Sequence, residues 1–282
     1  RQKLESMGAE VVPALFEKLP AADWTLKPRL LEVLSAHGRE FAKQKLLKGN
    51  ETEKTYAALV YELSVTCTAD GFDYEAPEFA AMVEALLKAI KSDEKYLRAA
   101  AGLALIYDDG NVVFFEHLHI IVPTLISSFD TDLVIRRRVR EDPSECVFWG
   151  ICVRLDALIG DRLAYNEVEA IMWKNIVDFN ASAPRRSMAR FLIANREQIE
   201  KLQSYWQTWW NDHLHLTATE IGKLIIARNL SLLKAGEREN ARIAAWSMET
   251  WTRGLYVLSP QDWASWWAEH ATQYTGPKKQ RR

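Results

Sequence analysis

Apolar side chains recur along most of the chain with the period of an α-helix. Over residues 79–90 they stand at positions i, i+3, i+4, i+7, i+8 and i+11, which places them on one face of a helix. The same pattern covers residues 30–34 and 56–63, and a wider stripe that includes small residues covers 96–107. No run alternates like a strand with one buried face, so the pattern predicts an all-α fold.

Glycines, prolines and short polar loops divide this pattern into helices that come in pairs. The spacing predicts helices over about these ranges: 28–37, 39–48, 52–66, 78–91, 94–107 and 112–129. Helix pairs that recur at ~40 residues are typical of a solenoid, in which each unit buries its apolar face by stacking on its neighbours. The chain, 1–282, is therefore predicted to be a single helical-repeat domain, an α-α superhelix of about five to seven helix pairs.

The regularity of the predicted repeats changes along the chain. Residues 1–130 show the most regular pattern, residues 131–200 are divergent, and residues 201–275 form a C-terminal helical part. The first residues read as the end of a helix that stops at Gly8, so we expect that further chain preceded Arg1. The compartment stays open on this basis, with the cytoplasm favoured.

Two short motifs resemble the HEAT/armadillo family of helical repeats. The sequence V-P-x-L, which opens the second helix of a HEAT repeat, occurs at residues 12–15 and 122–125. Proline in the first turn loses no helical hydrogen bond, and its fixed φ sets the corner between two helices. Residues 4–15 resemble bacterial HEAT-like repeats closely. The resemblance is good over residues 1–49, fair to about residue 130 and thin over residues 130–200. It implies a solenoid that presents a long surface to a binding partner.

The C-terminal part carries an internal repeat of its own. The motif W-x-x-W-W-x-x-H occurs at residues 206–213 and at residues 263–270. On a helix the first Trp shares a face with the other two, which forms an aromatic ridge. The second copy opens with Ser259 and Pro260, a signal for a helix N-terminus. This copy also resembles a helix that closes some bacterial HEAT-repeat proteins.

Two groups of side chains are candidates for partner binding. The tryptophans of the two motifs are interpreted mainly as core anchors, but any exposed member would be a hot spot for a partner. A basic run could hold phosphate or an acidic peptide, although two acidic residues follow it and most charge runs are solvated faces. The candidates are Trp206, Trp209, Trp210, Trp263, Trp266, Trp267, Arg136, Arg137, Arg138 and Arg140.

The charge balance and the positions of histidine and cysteine argue against several functions. With 36 Lys and Arg against 38 Asp and Glu, the net charge is -2, whereas nucleic-acid-binding domains usually carry a basic excess. The 3 cysteines include no C-x-x-C pair. The cysteines therefore predict no disulfide framework. The two histidines of each H-x-H pair, at residues 117–119 and 213–215, would point apart on a helix, so we predict no metal site either. No apolar run is long enough to span a membrane.

Motifs for catalysis are missing from the sequence. It contains no G-x-S-x-G, no glycine-rich phosphate loop and no paired carboxylates beside a base. The leading hypothesis is a scaffold without catalytic activity or cofactor that binds a protein or peptide on a solenoid face. One alternative is a HEAT-like nucleic-acid-binding or DNA glycosylase-like protein, which the net charge disfavours. Another is a bilin lyase or cofactor chaperone, which rests on fold analogy alone. The identity of the partner and the oligomeric state stay open.

Overall fold

The computed structural model describes residues 8–23, 26–66, 73–107, 111–128, 151, 155, 158, 196–236, 238–252 and 259–277. Within these residues every regular element is helical and no strand occurs, which confirms the predicted all-α fold for them. The chain divides into two compact units. Unit 1 is Arg1–Asp109 with Asp130–Phe148, and unit 2 is Gly110–Phe129 with Trp149–Arg282. The prediction of a single repeat domain stays a prediction.

Unit 1 begins, in its described part, with the 3₁₀ turn Gly8–Val11. Its helices are α1 (Val12–Lys18), α2 (Lys27–His37), α3 (Arg39–Lys48), α4 (Glu51–Thr66), α5 (Pro77–Ala89) and α6 (Lys95–Tyr107). The predicted ranges for α2 to α6 agree with these to within two residues. Prolines lie in the first turn of α1, α2 and α5, where their missing N–H has no helical acceptor to lose.

The helices of unit 1 follow a regular contact pattern. From α2 onward, each helix packs against the next helix along the chain and against the next but one. Helix α4 packs against the two helices before it, α2 and α3, and the two helices after it, α5 and α6. All of its residues from Tyr56 to Val65 are buried. Helix α4 is therefore the core of this unit, and its burial explains why its apolar residues extend around the helix.

A buried lysine links two helix starts in unit 1. Lys27, in the first turn of α2, is 4% exposed, and its Nζ lies 2.6 Å from Oε1 of Glu94, the residue before α6. Nζ also lies 5.6 Å from the centre of the Tyr56 ring on α4. Burial acts to lower the pKa of Lys27, but hydrogen bonds to Glu94 and Tyr56 outweigh it and leave the pKa raised. The charged form of Lys27 is thus stabilised in the folded state.

We expect Glu94→Gln to lower the free energy of unfolding by about 1–3 kcal/mol, because the Lys27 charge would stay buried without its carboxylate. Lys27→Met should cost less, since it removes the buried charge and keeps the chain length. Because the pKa of Lys27 is raised, the ion pair stabilises the folded state fully at pH values below 10.5, the ordinary pKa of lysine. This stabilisation is lost as the pH rises through the pKa of Lys27 in the folded state. Urea unfolding at neutral and strongly alkaline pH measures both effects, and equal losses for the two variants would contradict the assignment.

Unit 2 contains α7 (Asn111–Glu116), α8 (Leu118–Ser127), α9 (Arg196–His213), α10 (Ala218–Ala235), α11 (Arg238–Thr252) and α12 (Pro260–His270). Helix α8 packs against α7 and α9, while α10 packs against α11 and α12. Ile151, Leu155 and Leu158 are helical and buried, at the i, i+4, i+7 spacing of one helix face. Together with the start of α9, these are the described residues of the section that the sequence marks as divergent, 131–200.

The predicted helix over residues 112–129 is wrong in one respect. His117 takes φ −118° and ψ 20°, which interrupts the helix and separates α7 from α8. Helix α8 therefore starts at Leu118, and Pro123 lies in its interior instead of its first turn. The second V-P-x-L motif thus does not mark a helix start, whereas the first does, with Pro13 in the first turn of α1.

Candidate functional site

The two W-x-x-W-W-x-x-H motifs occupy the ends of helices. The first closes α9, whose last residue is His213, and the second closes α12, whose last residue is His270. Gln203 Nε2 donates to the Ile126 carbonyl at 3.0 Å and ties α9 to α8. The sequence repeat therefore corresponds to a structural position, the last two turns of a helix.

Helix α12 starts where the sequence predicts, at a capping box. The Ser259 hydroxyl accepts from the Asp262 N–H at 3.2 Å, and the Ser259 N–H donates to Asp262 Oδ2 at 3.0 Å. Hydrogen bonds from the hydroxyl and backbone of Ser259 lower the pKa of Asp262. The cap fixes the register of the helix, and with it the directions of the three tryptophans that follow.

The first tryptophan of each motif belongs to the core. Trp206 is 0% exposed and Trp263 is 3% exposed. The indole N–H of each is buried and has no hydrogen-bond acceptor among the described residues. Trp210 is buried too, with its ring centre 5.2 Å from that of His119 on α8. Of the six motif tryptophans, these three are anchors inside unit 2, as the structural interpretation predicts.

The second tryptophan of each motif stacks on the motif histidine. Ring centres are 4.3 Å apart for Trp209 and His213, and 5.0 Å apart for Trp266 and His270. The planes differ by 17° and 13°, so both pairs are stacked face to face. The same local arrangement is therefore built twice from the same sequence.

The histidines of these stacks have a defined tautomer. Nδ1 lies 2.7 Å from the Trp209 carbonyl in His213 and 2.8 Å from the Trp266 carbonyl in His270. A carbonyl oxygen can only accept, so Nδ1 carries a proton, and of the two neutral tautomers this one leaves the lone pair on Nε2. Each stack thus combines a half-buried indole with a hydrogen-bond acceptor.

Three tryptophans of the motifs reach the surface. Trp209, Trp266 and Trp267 are half-buried, and Leu214, which follows the first motif, is 53% exposed. Trp266 and Trp267 contact each other with ring centres 6.0 Å apart. We call Trp266, Trp267 and His270 the α12 aromatic face, and Trp209, His213 and Leu214 the α9 aromatic end. Their three tryptophans are the part of the predicted site that a partner could contact, and the two histidines and Leu214 are added by the structure.

Other predicted features fall elsewhere. The arginine run at residues 136–140 and the cysteines Cys67, Cys146 and Cys152 lie outside the described residues. The helical geometry considered for the two H-x-H pairs does not apply to them, since His117 lies between α7 and α8 and His215 lies beyond the end of α9. In the part of the chain that the structure describes, no group of three or more His, Cys, Asp or Glu is placed to hold a metal ion. No described helix combines the length and apolar character that a membrane span requires.

A buried polar network in unit 2 was not predicted from the sequence. Asn229 Nδ2 donates to Ser247 Oγ at 2.8 Å, which links α10 to α11. The Trp251 indole N–H donates to the Leu158 carbonyl at 2.7 Å, and the Tyr274 hydroxyl donates to the Trp251 carbonyl at 2.8 Å. The only signal in the sequence is a polar residue, Asn229, on the apolar side of a helix, and the sequence does not indicate which residue it hydrogen-bonds to.

Comparison of the chain with protein-family models, curated proteins and solved structures found no match. A function for the chain therefore has to be argued from its own residues and their geometry.

Proposed function

We propose that this chain is a non-catalytic α-solenoid scaffold that binds a partner protein or peptide. The contact pattern of unit 1 supports the solenoid, because contacts with the next helix and the next but one are those of a two-layer stack of helical hairpins. The resemblance of residues 4–15 to a HEAT-like repeat points the same way, although the interior position of Pro123 weakens the second V-P-x-L match.

The observation that carries the binding role is the duplicated Trp–His stack. Partner-binding hot spots are enriched in tryptophan, whose large ring combines apolar area with a polar edge. Stacking on His213 or His270 restrains the indole before a partner arrives, so less side-chain entropy is lost on binding. The proposed contacts are therefore Trp209, Trp266 and Trp267, with the histidine Nε2 atoms as acceptors at the edge.

A pulldown with surface variants of the full chain tests this function. The variant Trp209→Ala with Trp266→Ala removes both stacks and leaves the buried tryptophans in place. The matched control, Gln207→Ala with Gln261→Ala, changes exposed residues on the same two helices. We expect a partner that the wild type and the control retain, and whose Kd rises about 30-fold in the tryptophan variant. Failure of the folded wild type to retain any partner, or equal retention by all three proteins, would contradict the proposal.

A further inference from the structure

The residues that follow α12 cross unit 2 as a short strap, which we define as residues 274–277. Tyr274, Gly276 and Pro277 are buried, whereas Thr275 between them is exposed. The strap is neither helix nor strand, so its place depends on side-chain contacts and on two hydrogen bonds. The Tyr274 hydroxyl donates to the Trp251 carbonyl at 2.8 Å, and the Thr219 hydroxyl donates to the Thr275 carbonyl at 3.5 Å. From Tyr274 to Gly276 buried and exposed positions alternate, as they do in an extended peptide that is recognised in a groove, and Pro277 is buried as well.

One end of the strap is held by Tyr274. Its hydroxyl donates to the Trp251 carbonyl near the end of α11, and its ring meets Trp267 edge-on with centres 5.5 Å apart. A Cβ on Gly222, in α10, would lie 2.9 Å from the same hydroxyl. Glycine in a helix interior is destabilising, so its presence here fits a helix that must leave room for the tyrosine.

The other end of the strap fits closely against α7. Gly276 has φ 116°, which L side chains rarely adopt, and a Cβ there would overlap the Phe115 ring. Phe115 in turn contacts Trp251, with ring centres 6.0 Å apart. Phe115, Gly222 and Trp251 thus line a groove that fits a tyrosine and, two residues later, a glycine, with the exposed Thr275 between them.

We infer that this groove is a peptide-binding site that the chain's own strap fills in cis. Its ligand from another molecule is an extended segment with tyrosine two residues before Gly-Pro. The inference rests on the proposed function, since it names the chemistry of a partner for unit 2. A tethered strap competes at high effective concentration, so a free peptide binds well only when the strap is weakened. The strap therefore acts as an autoinhibitory segment.

The test uses the full chain with Tyr274→Ala and a fluorescein-labelled peptide of residues 271–282. In fluorescence polarisation we expect the peptide to bind this variant at least about 10-fold more tightly than the wild type, because the cis tyrosine no longer occupies the groove. Three control peptides should lose binding: one with Tyr274→Ala, one with Gly276→Ala, and one with the basic residues 278–282 alone.

Equal binding by the wild type and the variant, or binding by the basic peptide alone, would show a nonspecific charge effect and overturn the inference. So would absence of binding to a variant that keeps its helical circular dichroism. If Tyr274→Ala does not fold, Gly276→Ala replaces it, because it displaces the strap from Phe115 and keeps the tyrosine, and the same outcomes apply. If the peptide binds but the pulldown retains no partner, the proposed binding role of Trp209 and Trp266 is rejected. If the pulldown retains a partner but the peptide does not bind, only the peptide-binding groove is rejected.

Discussion

Trp251→Phe is expected to lower the free energy of unfolding by about 2–4 kcal/mol. The substitution removes the indole N–H that donates to the Leu158 carbonyl at 2.7 Å, and this carbonyl keeps only the longer hydrogen bond, 3.5 Å, from the Ser247 hydroxyl. It also leaves a small cavity in the core, because the Trp251 side chain is only 2% exposed and phenylalanine is smaller. Loss of the hydrogen bond and loss of packing act in the same direction at this position.

Trp206→Phe and Trp263→Phe are expected to cost less, about 1 kcal/mol each. The packing lost is similar, but the indole N–H of each is buried without an acceptor in the described part of the chain, so its removal relieves a desolvation penalty. Urea unfolding followed by circular dichroism, with a check that the slope is unchanged, measures all three variants. A loss at Trp206 or Trp263 as large as that at Trp251 would show that the N–H groups are not the deciding difference.

This ranking of tryptophans could not be predicted from the sequence. Trp206 and Trp263 stand in a visible motif, whereas Trp251 stands outside both copies. The acceptor of Trp251 is a carbonyl 93 residues earlier in the chain. Backbone carbonyls carry no sequence signature, so a hydrogen bond to one across the fold leaves no pattern to detect. The same holds for the strap, whose partners belong to several different helices.

Local features were predicted well because their causes are local. Helices α2 to α6 start and end where proline, glycine and apolar periodicity place them. The helix N-terminus predicted at Ser259 and Pro260 depends on adjacent residues, and the helix begins there, with a capping box between Ser259 and Asp262. The break at His117 was missed because apolar residues continue on both sides of it and no glycine or proline marks it.

The candidate site was predicted in composition and in part in arrangement. Helical spacing places the tryptophans of a motif on neighbouring faces, and the stacking of Trp209 on His213 is a contact between residues four apart. Which tryptophan faces the core depends on what packs beside the helix, such as His119 beside Trp210. His119 is distant from Trp210 in sequence, so the sequence alone could not predict which of the tryptophans are buried.

Gly222→Ala is the second large effect that we expect, a loss of about 2 kcal/mol in the free energy of unfolding. Alanine favours the helix by about 1 kcal/mol over glycine, so the substitution would stabilise α10 if the position were open. Here the new Cβ would lie 2.9 Å from both the Trp251 ring and the Tyr274 hydroxyl. The hydrogen bond to Leu158 holds the Trp251 ring, so the ring cannot move aside without losing that bond. Ser231→Ala, on the exposed side of the same helix, is the control and should change stability little.

A double-mutant cycle then shows whether the contact with Trp251 is the cause. In the Trp251→Phe background the smaller ring leaves room for the alanine, so Gly222→Ala should cost at least about 1 kcal/mol less than in the wild type. In the Tyr274→Ala background the loss should also fall, because the displaced hydroxyl is gone. Losses that simply add in both backgrounds would mean that Gly222 is required for a reason other than the approach of these two side chains. Coupling with Tyr274 alone would assign the glycine to the strap, and coupling with Trp251 alone would assign it to the core of unit 2.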